Sequence, residues 1–183
     1  MATVASTIDV TPITPAIGGV VSGFDISQPQ SEETVGALRK AWLDRGVLFF
    51  PKADVTEDQL AAFVGNFGET IIEPTSPNPD TKLVHGGDTG GSKKVTEVWH
   101  ADATWLAEPP AGTGLRLVQV PPVGGDTCWS NVTVAFEELT EPLRDMLEKL
   151  DAVHWMLPSL DAMGIGAFSS EIQYTHPVVT VHP

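Results

Sequence analysis

A mainly β domain with a few flanking helices, folded as a distorted double-stranded β-helix of the jelly-roll, cupin-like type, is the architecture this sequence predicts. Three observations point there. β-Branched residues broken by Pro and Gly fill the opening and the middle of the chain; helical periodicities are few and amphipathic; and strands do not alternate with helices as they would in a doubly wound sheet. With 183 residues, 42% hydrophobic and 19% charged, the composition suits one globular domain over 1–183.

Residues 8–26 mix β-branched positions with Pro12, Pro15 and the Gly18-Gly19 pair, the composition of short strands joined by tight turns. Ser31 then precedes EETVGALRKAWLDR, with Glu32 and Glu33 in the first turn, Arg45 in the last and Gly46 as a stop, and this predicts a helix over 32–45. VLFF at 47–50, ended by Pro51, is too short for a helix and predicts a core strand. Thr56 with Gln59 forms a capping-box pattern, after which Leu60, Phe63, Val64 and Phe67 recur at helical spacing up to Gly68. From Glu69 to Glu97 the chain reads as a loop around a short strand at 82–85, long enough to serve as a lid.

GLRLVQV at 114–120 and GDTCWSN at 125–131 bracket PPVGG and predict two paired strands. A helical region over 134–150 follows, restarted at Thr140 and Pro142, with Leu143, Met146, Leu147 and Leu150 as its inward face. The final HPVVTVHP is apolar and strand-like with no polar tail, so the expectation is a domain incomplete at its C-terminus. Strands left unpaired in this way predict poor solubility and self-association into a homo-oligomer.

Ten Lys and Arg against 24 Asp and Glu give a net charge of -14, which repels phosphate backbones and anionic lipid, so neither nucleic acid nor a membrane is an expected partner. The opening MATVASTIDVTPITP lacks a basic n-region and a long apolar run, and no later stretch approaches the ~18 to 20 apolar residues of a bilayer span. A cytoplasmic protein acting on a small molecule is expected. Cys128 is the one cysteine, which excludes an internal disulfide and the usual thiolate metal sites. Any metal must be held by His and carboxylate.

The segment WHADATW supplies both. On a strand, His100 and Asp102 would point to one face, where a neutral nitrogen and a carboxylate could meet a single ion. Two His and one carboxylate around Fe(II) leave three positions open, enough for a bidentate 2-oxo acid and O2. An H-x-D tripeptide alone is weak, since structural His–Asp pairs are commoner. Trp99, Trp105 and Trp129 flank the motif and are expected to pack in the core.

The block WHADATWLAEPPAGTGLRLVQVPPVGGDTCWSNVTVAFEEL, residues 99–139, resembles the core of the taurine and 2,4-dichlorophenoxyacetate dioxygenase family (TauD/TfdA). GGVVSGFDIS, RGVLFFP and HPVVTVHP extend the likeness more loosely over the first two thirds of that family's domain. The resemblance implies Fe(II) held by His100 and Asp102, 2-oxoglutarate hydrogen-bonded by Thr127 of GGDT, and O2 as oxidant. It implies oxidative decarboxylation to succinate and CO2 coupled to hydroxylation of a small substrate. Substrate contact is implied at Glu73, His85, Thr96 and Ala103. Glu73 stands near the place of a sulfonate-binding His, and Thr96 at that of an Asn, so taurine is disfavoured against another small acid, an alkyl sulfate or an aryloxyalkanoate.

The family completes its site with a distal His and an Arg, both past the matched region, and His154, His176 and His182 lie in other places and read as structural. Two rivals follow: a catalytically inactive truncated member or interaction module, and a cupin-like metal hydrolase or isomerase using another third ligand. The GGDT block speaks against the second.

Overall fold

A turn rich in Pro and Gly can reverse a chain only if its own polar groups find partners. Here Ile13 N–H donates to Gly18 O (2.9 Å) and Ile17 N–H to the hydroxyl of Thr14 (2.9 Å). In this computed structural model, which describes residues 8–70, 99–118, 120–155 and 173–182, that turn joins β1 (Asp9–Pro12) to β2 (Gly19–Ser22). The two are antiparallel, with Asp9 opposite Ser22 and Pro12 opposite Gly19.

The described residues fall into two compact units, one of 8–70 with 114–138, the other of 99–113 with 139–182. In the first, α1 (Glu32–Arg45) crosses over from β2 to β3 (Leu48–Phe49), which pairs parallel to β2 and gives the order β1-β2-β3. A parallel neighbour requires such a crossover. The helix starts at Ser31, whose side chain accepts from Thr34 N–H (3.2 Å), and stops at Gly46. There a φ of 70°, costly for any residue with a Cβ, lets the glycine N–H reach Trp42 O (2.7 Å). Its inner face buries Leu38 completely, with Thr34 beside it, while Val21 of β2 and Ile26 supply further core.

In α2 (Glu57–Val64) both halves of the capping box are made: Gln59 N–H to the Thr56 hydroxyl (3.2 Å) and Thr56 N–H to Gln59 Oε1 (2.8 Å). Leu60 and Phe63 are buried, and Phe63 gathers Phe24, Phe50 and Phe67 at centroid distances of 5.9, 5.3 and 5.5 Å. The helix ends at Val64, short of the expected Gly68. The Asn66 side chain takes over the carbonyls of Ala62 (3.1 Å) and Phe63 (2.9 Å), and Phe67 N–H turns back to Val64 O. Phe67 then packs edge-on to Trp42 (6.0 Å) while its carbonyl accepts from Arg39 (2.6 Å).

The hairpin expected at 114–131 does not form among the described residues, which carry no strand there. Leu115, Leu117, Val118, Val120 and Val123 stay exposed. An isolated strand pair with neither face covered is marginal, so nothing rewards pairing. The segment is pinned at its two ends instead. A Cβ on Gly114 would sit 2.6 Å from a Val64 methyl, and Asn131 donates to Ala16 O (2.7 Å) while capping α3 (Val132–Glu137). Trp129 meets Phe49 edge-on at 5.2 Å but remains partly exposed.

In the second unit, α4 (Glu141–Leu147) starts at Thr140 with Pro142 in its first turn, as the sequence predicts. Its expected inward face is not buried: Leu143, Met146 and Leu150 are exposed, because a helix of 7 residues has no described neighbour across that stripe within its unit. β4 (Asp151–Trp155), a strand the sequence reading left out, pairs antiparallel with β5 (Gln173–Pro177), His154 opposite Tyr174 and Ala152 opposite His176. β5 therefore begins before HPVVTVHP and leaves most of it outside the strand. No helix among the described residues is long and apolar enough to cross a membrane.

Candidate metal site

Residues 99–113 form a loop, and this corrects the strand expected for WHADATW. Leu106 N–H donates to Ala103 O (3.1 Å), and Ala103 takes a φ of 51°. A left-handed residue at that point breaks the two-residue alternation a strand would impose. The turn nonetheless brings the two side chains together. His100 Nε2 lies 3.3 Å from Asp102 Oδ1, and both side chains are more than half exposed. Thr113, at the far end of the loop, donates its hydroxyl to the other carboxylate oxygen, Asp102 Oδ2, at 2.7 Å.

These residues fit a metal ion. Two donors each about 2.1 Å from one ion, at right angles, stand about 3 Å apart. The His100–Asp102 separation of 3.3 Å is within a small rotation of that. One is a nitrogen and the other an anionic oxygen, and the hydroxyl on Oδ2 leaves Oδ1 as the oxygen to be given to the ion. Among the described residues no group of three His, Cys, Asp or Glu is gathered, and a facial triad of two His and one carboxylate would need one more His beside this pair.

The other sequence candidates are distributed as follows. Ala103 is described and 7% exposed. Thr127 is an exposed residue of the irregular segment 114–131 in the first unit. Glu73, His85 and Thr96, with the strand expected at 82–85, lie outside the described residues. Trp99 is 74% exposed, against the expectation of core packing, whereas Trp105 buries its indole nitrogen without a hydrogen-bond partner. Cys128 is a free, exposed thiol. Of the other described histidines, His176 Nε2 is 2.9 Å from Leu106 O and His182 Nε2 is 2.7 Å from Ala111 O, while the His154 ring stands 5.5 Å from that of His176. Thr113 escaped the sequence reading. Its only local signal is a hydroxyl following the Pro109-Pro110 pair, which does not by itself point to Asp102.

Comparison with known proteins identifies the family. The model of the family described as "Taurine catabolism dioxygenase TauD, TfdA family" matches residues 9–183. An alpha-ketoglutarate-dependent sulfate ester dioxygenase of Pseudomonas putida is 34% identical, covering 96% of this chain and 63% of that protein. An alkylsulfatase of Acinetobacter baylyi is 31% identical, covering 93% of this chain and 58% of that protein. Among solved structures, a taurine dioxygenase from Burkholderia xenovorans superposes with a TM-score of 0.75 at 32% identity, covering 96% of this chain and 59% of the other. The chain thus spans about three fifths of the length of these relatives. With residues 9–183 matched and His100 and Asp102 set side by side on their loop, the chain belongs to the TauD/TfdA family of dioxygenases.

Proposed function

We propose that the protein is an Fe(II)- and 2-oxoglutarate-dependent oxygenase that hydroxylates a small organic anion, with one oxygen atom of O2 entering the product and the other entering succinate as CO2 leaves. The observation that carries this reading is the 3.3 Å pairing of His100 Nε2 with Asp102 Oδ1 on an open loop. Iron with bound 2-oxoglutarate supplies the oxidative chemistry, and the protein's residues supply position and charge. His100 gives a neutral nitrogen, Asp102 a negative oxygen, and Thr113 fixes which carboxylate oxygen is given. Thr127 donates its hydroxyl to a 2-oxoglutarate carboxylate. Glu73, His85, Thr96 and Ala103 contact the substrate, Ala103 from a buried, left-handed position.

A sulfate ester, an alkyl sulfate or an aryloxyalkanoate is the substrate class, supported by the sulfate ester dioxygenase and the (S)-phenoxypropionate dioxygenase of Sphingobium herbicidovorans, 27% identical, among the relatives. The whole architecture is a distorted jelly-roll, supported by the superposition with the taurine dioxygenase. A cytoplasmic location suits a chain with one cysteine and an acidic surface, and the exposed apolar residues at 115–123 suit association into homo-oligomers.

One observation favours a second reading, a non-catalytic member of the family: the described residues hold no third ligand. Anaerobic titration with Fe(II) and 2-oxoglutarate separates the two. The expected result is the weak visible charge-transfer band of a chelated 2-oxo acid, lost in His100→Ala and Asp102→Asn and needing more 2-oxoglutarate in Thr127→Val. The titration is repeated on the gene's full reading frame. No band in either protein would overturn the iron assignment.

A further inference from the structure

We infer that His176 and His182 are positioning residues, a pair of imidazole braces that hold the His100–Asp102 loop in shape by gripping its backbone. The grips fall at Leu106 O, 2.9 Å from His176 Nε2, and at Ala111 O, 2.7 Å from His182 Nε2. Both carbonyls lie between Asp102 and Thr113, the two residues whose 2.7 Å hydrogen bond closes the loop.

A carbonyl oxygen can only accept, so each Nε2 carries the proton and donates, whether the ring is neutral or charged. His176 is itself rigidly placed. It stands in β5 opposite Ala152 of β4, and its ring is packed by Tyr174 at 4.9 Å and by His154 at 5.5 Å. His182 extends the same support six residues further on, and the two gripped carbonyls run in the same chain order as the two histidines.

The two grips add to hydrogen bonds that the loop makes within itself. Among the described residues the loop holds itself through Leu106 N–H to Ala103 O and Thr113 to Asp102, with a left-handed Ala103 between them. A non-glycine residue in that conformation is sterically costly and persists only where its surroundings fix it. Groups that orient a metal's ligands typically change metal affinity about 10- to 100-fold when removed. The braces act one step further out, through the backbone. Only the consequence for the metal rests on the function proposed above.

The test compares the parent chain with His176→Phe, which keeps a flat ring but no donor, His176→Gln, which keeps an N–H of similar reach, and His182→Phe. Amide hydrogen exchange of peptides covering 99–113 is followed without metal, and Fe(II) affinity is then measured anaerobically. Each Phe variant should exchange about tenfold faster in that loop, as loss of one hydrogen bond allows, with the rest of the chain unchanged. His176→Gln should recover most of the protection. Fe(II) should bind about tenfold more weakly to the Phe variants.

Unchanged exchange in both Phe variants overturns the brace. Faster exchange with Fe(II) affinity equal to the parent's overturns the positioning role. Faster exchange in variants of a parent that binds no Fe(II) upholds the brace and fails the proposed function instead. If His176→Phe does not fold, His176→Gln and the exposed His182→Phe carry the same comparison.

Discussion

Thr113 Oγ1 donates a 2.7 Å hydrogen bond to Asp102 Oδ2 while Oδ1 of the same carboxylate faces His100 Nε2 at 3.3 Å. The two oxygens thus have separate tasks, and a hydroxyl eleven residues away assigns them. Thr113→Val keeps the shape and removes the donor, so the carboxylate is left to rotate or to chelate with both oxygens. Fe(II) affinity should drop about 10- to 100-fold, and Thr113→Ser should restore it. Anaerobic metal titration, with far-UV circular dichroism to confirm an unchanged fold, measures this.

Leu38 and Thr56 test the first unit without touching the loop. Leu38 is completely buried in α1, and Leu38→Ala should destabilise the chain by about 2–5 kcal/mol through lost transfer energy and the remaining cavity. Thr56→Ala removes half of a formed capping box and should cost about 1 kcal/mol. Urea unfolding reads both, and the larger effect should belong to Leu38.

Two exposed aspartates predict behaviour in acid. Lys40, hydrogen-bonded to Asp44 at 2.7 Å and attracting it, holds that carboxyl below its ordinary 3.8, and hydrogen bonds from Ser27 do the same for Asp25. A carboxyl whose pKa is lower in the folded state contributes stability above its unfolded pKa and loses it as pH falls through the folded value. Lys40→Ala should therefore show a slightly lower urea midpoint than the parent at neutral pH. The difference should shrink as the pH falls below 3.8. Both groups are fully exposed and screened, so raising the salt concentration should shrink it too.

The features legible in the sequence are those whose partners lie within one turn of helix. Ser31, Gly46 and the Thr56–Gln59 box act on backbone three or four residues away, and α1 and the start of α2 follow from them. The β1–β2 turn is equally local. Features that depend on distant surfaces were not legible. The alternation of GLRLVQV promised a strand, but a strand needs a ladder and a covered face, and Leu115 and Leu117 have neither. Leu143 and Met146 have helical spacing but stay exposed. At the site, residue types announced His100 and Asp102, whereas the turn that replaces a strand just after them, with its left-handed Ala103, is something no alternation rule anticipates. Thr113, His176 and His182 join that loop from 11, 70 and 71 residues away along the chain, a closure that local patterns do not encode.

Trp105 offers a test of the loop's interior that is independent of metal. Its Nε1 is buried without a hydrogen-bond partner, a condition that costs about 1–3 kcal/mol against a solvated indole. Trp105→Phe removes that donor and keeps much of the ring. The lost contact area and the relieved polar group oppose one another, so stability should change by less than about 1 kcal/mol, against the roughly 3–5 kcal/mol typical of truncating a buried Trp to Ala. Thermal and urea unfolding of the Phe and Ala variants should show that gap. A Phe variant as damaging as the Ala variant would mean that the indole N–H is satisfied in solution, and would place an acceptor against Trp105 at the inner wall of the His100–Asp102 loop.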